Sequence, residues 1–297
     1  MINTKALRPI EYIDLIRIGR PNDGGYVVPR KIFSLCDGLL SYGINKDWSF
    51  ERAFWNKNPD AFIHCYDHSV TFLSLILFTI KSFFQSIIYL VLLDIKRFKK
   101  AFFGFFVIPN YFIFFRDKRS YFKKKISNYN KENNITVEKS IDKILKCGAK
   151  NIFLKMDIET SEYEVVHDIF NSKKNIVGLA IEFHKIDDYS VDFNLIIKKL
   201  KNFFFIVHVH ANNYGKLTES GFPSILEITF LNKKFIKTPV KLSTRKYPVE
   251  GLDQANRISK KDYIIKFWNN IYNFFLNLAT GAPIISLYFA TVLLAIG

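Results

Sequence analysis

An α/β fold with a doubly wound, mostly parallel sheet is what this chain predicts, and three observations carry the prediction. Short apolar runs bounded by turn residues recur in the first and third parts of the 297 residues. Stretches of helical apolar spacing lie between them, the alternation that builds a layered α/β sheet. Polar residues gather at the carboxyl ends of the runs, where sheets of this kind bind their ligands. Hydrophobic residues make up 49% of the chain, with 31 Phe and 15 Tyr, which supports a large core and excludes a disordered chain.

Taken in order, the first run, 39–42, ends at Gly43 and the second, 62–66, ends at Asp67. Both have the length of buried strands. A helix is expected over 136–145, where Val137, Ile141, Ile144 and Leu145 fall near one face. The strand 152–156 follows and ends at Asp157, with Glu159 just beyond. Helical spacing returns over 161–170, and the strand 177–183 ends at His184. A helix over 191–200 leads to a strand over 203–209 that ends at His210, and a strand over 225–231 closes the series. Gly43, Asn45, Asp67, Asp157, Glu159, His184 and His210 therefore form a candidate binding face. For any one of them the plain alternative is a loop residue that is polar because it meets water.

Two segments break the alternation. Residues 69–93 are almost wholly apolar, with Lys81 the single charge. Residues 96–125 then carry ten Lys or Arg against one acid, Asp117, so +9 of the net +16 sits in 30 residues. This aromatic- and Lys-rich helical insertion has three readings: a buried helical insertion, a membrane-interface element or a span. Peripheral docking on an anionic membrane surface is the expectation, since cationic residues and aromatic rings both suit the headgroup zone. Nucleic acid is not expected, because the aromatics come in unbroken apolar runs. From Phe267 to the end no residue is charged, which suggests an apolar C-terminal helix, either packed or a membrane anchor, with Gly281 and Pro283 weakening it as a continuous helix. The organisation is thus 1–68 and 126–262 as two parts of one domain, 69–125 as an insertion and 263–297 as an apolar tail.

Cys36, Cys65 and Cys147 form no CxxC pair and point to a reducing compartment. With no signal-like run at the N-terminus, the expected location is cytoplasmic and peripherally membrane-associated. No serine-hydrolase elbow, Walker loop or HExxH motif is present.

Several stretches taken together resemble one family. They are RPNDGGYVVP at 20–29, LSYGINKDWSFE at 40–51, CYDH at 65–68, LKMDIETSEYE at 154–164, IEFH at 181–184, HVHANN at 208–213 and YPVEGLDQAN at 247–256. The chain resembles the FkbM-type methyltransferases, a branch of the Rossmann-like enzymes that use S-adenosylmethionine (SAM), over roughly 20–68 and 135–257; the K-x-D-I-E stretch is the most specific part. The resemblance implies a SAM-dependent O-methyltransferase acting on a sugar hydroxyl of a cell-surface glycan or its lipid-linked precursor. Asp67 would accept from both ribose hydroxyls, and Gly43 and Asn45 would line the methionine portion of SAM. Asp23, in the tight turn before Tyr26, and Glu159 would contact substrate at the site mouth. Asp157, His184 and His210 are the candidate catalytic residues, with imidazole the natural base near neutral pH. A second reading of Asp157, His184 and His210 is a mixed nitrogen and oxygen shell for a divalent metal, which is not the favoured one. Glu51 reads as a first-turn acid favoured by the helix dipole. Two departures stand out: one glycine where related enzymes carry GxGxG, and Thr160 where they carry Gly. They keep open a catalytically decayed member acting as a membrane-associated scaffold.

Overall fold

The computed structural model describes residues 1–267. The apolar tail foreseen beyond 267 lies outside the described residues. The chain opens with an antiparallel hairpin, β1 (Leu15–Gly19) and β2 (Gly25–Pro29), where the sequence showed only its turn. Next come α1 (Ile32–Leu35), β3 (Gly38–Tyr42), α2 (Ser49–Lys57) and β4 (Phe62–Tyr66). Three helices then leave the domain: α3 (Phe72–Val91), α4 (Ile95–Phe105) and α5 (Val107–Phe114). The chain returns through β5 (Arg119–Phe122), a short parallel pair β6 (Lys125–Ile126) and β7 (Asn134–Ile135), and α6 (Val137–Lys146). It finishes with β8 (Ile152–Met156), α7 (Glu162–Val165), β9 (Ile176–Phe183), α8 (Ser190–Phe203), β10 (Phe204–Ala211) and β11 (Leu226–Asn232).

Seven strands make one sheet in the order β10-β11-β9-β8-β3-β4-β5. Six of them run in one direction, and β11 lies antiparallel between β9 and β10. The expected α/β, Rossmann-like sheet is what forms. Its edge strand β5 falls inside the interval 69–125 assigned to the insertion, so the excursion proper spans the three helices. The RSYF run that makes β5 is too short and too charged to stand out from the basic block around it.

The helices form for local reasons. Thr136 caps α6 by accepting from the Lys139 amide at 3.2 Å, with Glu138 in the first turn and Lys143 and Lys146 in the last, which complements the helix dipole. Thr71 and Ser74 make a reciprocal capping box on α3. The stretch foreseen as one helix over 161–170 is instead the single turn α7 followed by a tighter 3-10 run, Val166–Phe170. Its adjacent β-branched Val165 and Val166 crowd an ordinary α-turn.

Alternate strand residues feed two cores. Leu40, Tyr42, Leu154, Met156, Leu179 and Ile181 pack with α6 and α8. Leu39, Phe153 and Val177 pack on the other face with α2 and the hairpin. The sheet is covered on both sides, so only its strand ends are free to build a site. The topology turns at β3. From there the chain steps outward through β4 to β5, then returns to the far side of β3 as β8, and the gap between the β3 and β8 loops is the switch point where such sheets open.

Candidate functional site

One register row crosses the sheet at this opening. Tyr42 pairs with Tyr66 and with Met156, and Met156 pairs with Ile181. The next residue on each strand is therefore Gly43, Asp67, Asp157 and Glu182. Glu182 pairs with Glu227 and Glu227 with His210, which carries the same row to the sheet edge. A cleft of about 560 Å³ lies over the row, lined among others by Asp23, Gly43, Asn45, Asp67, Asp157, Glu159, Glu182 and His184. Seven of the eight residues singled out from sequence thus share one hollow.

His210 is the exception, and its assignment as catalytic residue or metal ligand is corrected. It does not line the cleft, and both ring nitrogens are taken by carboxylates: Nδ1 lies 3.1 Å from Glu227 and Nε2 3.0 Å from Asp262. Burial opposes its charge, but those two partners outweigh burial and push the imidazole up to about 10. It is a pinned imidazolium that ties the segment around Asp262 to the sheet, with no free nitrogen to accept a proton or bind an ion. The neighbouring His208 ties down the YPVEGLDQAN stretch, its Nε2 2.8 Å from Asp253.

The left wall is a backbone construction. Gly43 sits at φ +74°, and a Cβ there would meet the Asp157 carbonyl oxygen at 1.6 Å. Asn45, also left-handed at φ +47°, donates its amide to Asp67 Oδ2 at 2.7 Å. Asp67 Oδ1 accepts from the Ser69 amide and hydroxyl, each at 2.7 Å. Asp67 therefore clamps two loops together while its carboxylate still borders the cleft.

The right wall is acidic and closely knit. The Tyr26 hydroxyl, delivered by β2, bridges Asp157 Oδ2 at 3.1 Å and Glu182 Oε2 at 3.0 Å. Asn212 donates to Glu182 Oε1 at 2.7 Å. Burial, then the charges of Asp157 and Glu227, drive the Glu182 carboxyl well above the usual range. Burial and the same neighbours raise Asp23 at the mouth, against the pull of Arg20. His184 is aimed from behind by Glu162, which accepts from its amide at 2.7 Å and lies 3.1 Å from Nδ1. Burial again opposes its charge, but Glu162, Glu182 and Asp157 prevail and lift it to about 9.

The sequence placed Tyr26 only in the turn at the site mouth and Glu182 only beside His184, and it gave Lys155 and its buried partner Glu51 no part in the site. Glu51 is in the first turn of α2, as expected, but it is wholly buried; it accepts from Ser41 Oγ at 2.5 Å and pairs with the buried Lys155 at 3.8 Å. The signal was there: a lysine inside the apolar strand IFLKM demands an acid partner.

The Thr160 departure has a visible cost. Thr160 is held at φ +79°, beside Glu159 at φ +52°, in the region that β-branched residues avoid. Left-handed backbone costs an L-residue about 1–2 kcal/mol, and glycine gives back roughly 0.5–1 kcal/mol of that through its floppier unfolded state. Thr160→Gly is expected to raise stability by up to about 1 kcal/mol, read as a higher urea midpoint at unchanged slope. A lower midpoint would mean that the threonine side chain holds the loop in some other way.

No protein-family model matches the chain, and no curated protein matches it. Among solved structures it is similar to a fibrillarin/Nop5p complex, at 9% identity and a TM-score of 0.34 over 66% of this chain and 72% of that one. It is also similar to precorrin-6y C5,15-methyltransferase from Geobacter metallireducens GS-15, at 9% identity and a TM-score of 0.31 over 66% and 80%. The plantazolicin methyltransferase BpumL in complex with SAH overlays at 8% identity and a TM-score of 0.30 over 66% and 76%.

Proposed function

We propose that this protein is a SAM-dependent O-methyltransferase that acts at a membrane on a sugar hydroxyl of a cell-surface glycan or its lipid-linked precursor. The carrying observation is the register row: Gly43, Asp67 and Asp157 meet at the switch point of a doubly wound sheet and border one cleft. The residues present suit SAM. The backbone at Gly43 offers a surface bare of side chain, Asp67 Oδ2 keeps a lone pair for a ribose hydroxyl, and the acidic wall complements a sulfonium cation. Bound there, SAM would supply a methyl carbon to an acceptor oxygen as its carbon–sulfur bond breaks, leaving S-adenosylhomocysteine. Asp157 and Glu159, at the mouth, are the carboxylates placed to orient the acceptor hydroxyl and take its proton, help worth about 10²–10⁴-fold in rate. His184 Nε2 faces the same two carboxylates, 3.7 Å from Asp157 and 3.6 Å from Glu159. Arg20, Lys124 and Lys125 also line the cleft and suit the phosphate of a lipid-carried acceptor.

Calorimetry with SAM on the folded full-length chain tests this. Saturable one-to-one binding is expected, weakened at least about tenfold in Asp67→Ala with the fold intact by circular dichroism. Folded protein that gives no heat sinks the proposal. Binding without methyl transfer to any lipid-linked or glycan acceptor would favour the decayed scaffold instead.

The membrane part rests on the polarity of the helical excursion. The buried face of α3 carries Leu75, Ser82 and Ser86, while Phe72, Leu77, Phe84, Ile88 and Val91 are exposed. Small polar residues inside and large apolar ones outside invert the pattern of a water-soluble helix and match helix pairs that pack in lipid. Gly104 of α4 meets Ser82 closely enough that an added Cβ would lie 2.6 Å from its hydroxyl oxygen. Among the described residues α3 is the one helix long and apolar enough to cross a bilayer, and only 17% of its apolar window is buried. Both ends of the excursion rejoin the same sheet, so a hairpin that dips in and returns fits better than a single crossing. Lys81, Lys96, Arg97 and Lys99 are exposed on these helices, whereas Arg119 is spent on the sheet edge, 4.0 Å over the Trp55 ring. The chain is expected to float with vesicles containing anionic lipid, and the triple change Leu77→Asp, Phe84→Asp, Ile88→Asp to abolish flotation. Flotation that survives the triple change would move the membrane contact to the apolar tail.

A further inference from the structure

We infer that Asp157, Glu182 and His184 form a binding site for one divalent cation of the manganese, iron(II) or zinc type, with Glu159 as a fourth ligand. A donor atom from each of the first three lies within 4.8 Å of the others. The decisive feature is the spacing around His184 Nε2. Asp157 Oδ1 stands 3.7 Å away, Glu159 Oε2 3.6 Å and Glu182 Oε1 3.9 Å. Each is too far for a hydrogen bond, and Nε2 makes none although the side chain is only 8% exposed. Two donors that share one ion at about 2.1 Å, separated by roughly 110–120°, stand about 3.4–3.6 Å apart. Three carboxylate oxygens around an unpartnered nitrogen at this distance are spaced for an ion between them, not for contact with one another.

Each ligand is also fixed from behind. Glu162 holds Nδ1 of His184, which turns Nε2 toward the cluster. Asn212 holds one oxygen of Glu182, and the Tyr26 hydroxyl holds the other together with Asp157 Oδ2. Outer partners of this kind orient metal ligands and fix the imidazole tautomer. A set of carboxylates with one imidazole suits manganese, iron(II) or zinc better than calcium or magnesium, which take oxygen throughout. Glu182 thereby takes the place foreseen for His210. The remaining positions face the cleft, where a hydroxyl-bearing ligand could enter. The site itself does not depend on the methyl-transfer reading.

The test is a titration of chelator-treated, full-length protein with Mn²⁺ alone, without SAM, following free Mn²⁺ by electron paramagnetic resonance. One equivalent should bind in the micromolar range and raise the melting temperature. Asp157→Asn and Glu182→Gln should each weaken binding by about 10–100-fold, while Asp60→Asn, on the exposed opposite rim, should leave it unchanged. Asp157 is partly exposed, so its variant keeps the test alive if Glu182→Gln fails to fold. Folded wild-type protein that binds no Mn²⁺ below millimolar concentration overturns the site. So does undiminished binding in Asp157→Asn. Because SAM is absent, Mn²⁺ binding stands or falls separately from SAM calorimetry.

Discussion

Gly43→Ala is expected to be among the most damaging single substitutions in the molecule. Two separate costs fall on that position. The first is conformational: at φ +74° an alanine pays about 1–2 kcal/mol. The second is a collision, since the new methyl would sit 1.6 Å from the Asp157 carbonyl oxygen, a backbone atom that cannot rotate away. Relief requires parting β3 from β8 at the point where the Asp157 amide donates to the Tyr42 carbonyl at 3.0 Å. The expected loss is about 3 kcal/mol or more, together with SAM binding. Gly221→Ala separates the two costs. Gly221 has the same φ of +74° with nothing within 4 Å of its Cβ position, so it should lose only the conformational part. Urea denaturation of both variants reads the difference. If Gly43→Ala were no worse than Gly221→Ala, or bound SAM as wild type does, the close approach of the two loops would not be what shapes the cleft.

Much of this site was legible in the sequence because of how polar residues interrupt apolar runs. Gly43, Asp67, Asp157 and His184 each end a buried strand, and a buried strand can end in charge only at its rim. What alternation cannot show is register between strands distant in sequence. The contact of Glu182 with Tyr26, 156 positions earlier, depends on the hairpin folding over β9. His210 looked equivalent to His184 because both follow buried strands. The difference lies in partners 17 and 52 residues downstream, which leave it no free nitrogen. The excursion kept three readings open for the same kind of reason. Composition showed an apolar and cationic segment, but only the fold shows that Ser82 and Ser86 turn inward while Phe72, Phe83 and Phe84 turn out.

Lys155→Met should be nearly as costly as Gly43→Ala, by an electrostatic route. The Lys155 side chain is 5% exposed and faces Glu51, which is fully buried, across 3.8 Å. Burial alone would depress the amine, but Glu51, Asp157 and Asp47 outweigh it and hold it above its ordinary value. Removing one member of such a pair strands the other charge in the core, at a typical cost of about 3–5 kcal/mol. Methionine fills the space, so the loss would be charge rather than volume. Adding Glu51→Gln should recover most of the stability, because the amide oxygen still accepts from Ser41 and no buried charge remains. Equal instability of the single and double variants would place the cost in packing and refute the charge argument. The double variant also isolates function from stability. Lys155 Nζ donates to the Gly43 carbonyl at 3.1 Å, so it braces from below the same loop whose bare backbone faces the cleft. A chain that regains its urea midpoint but not its affinity for SAM would show that the buried lysine serves the cofactor loop.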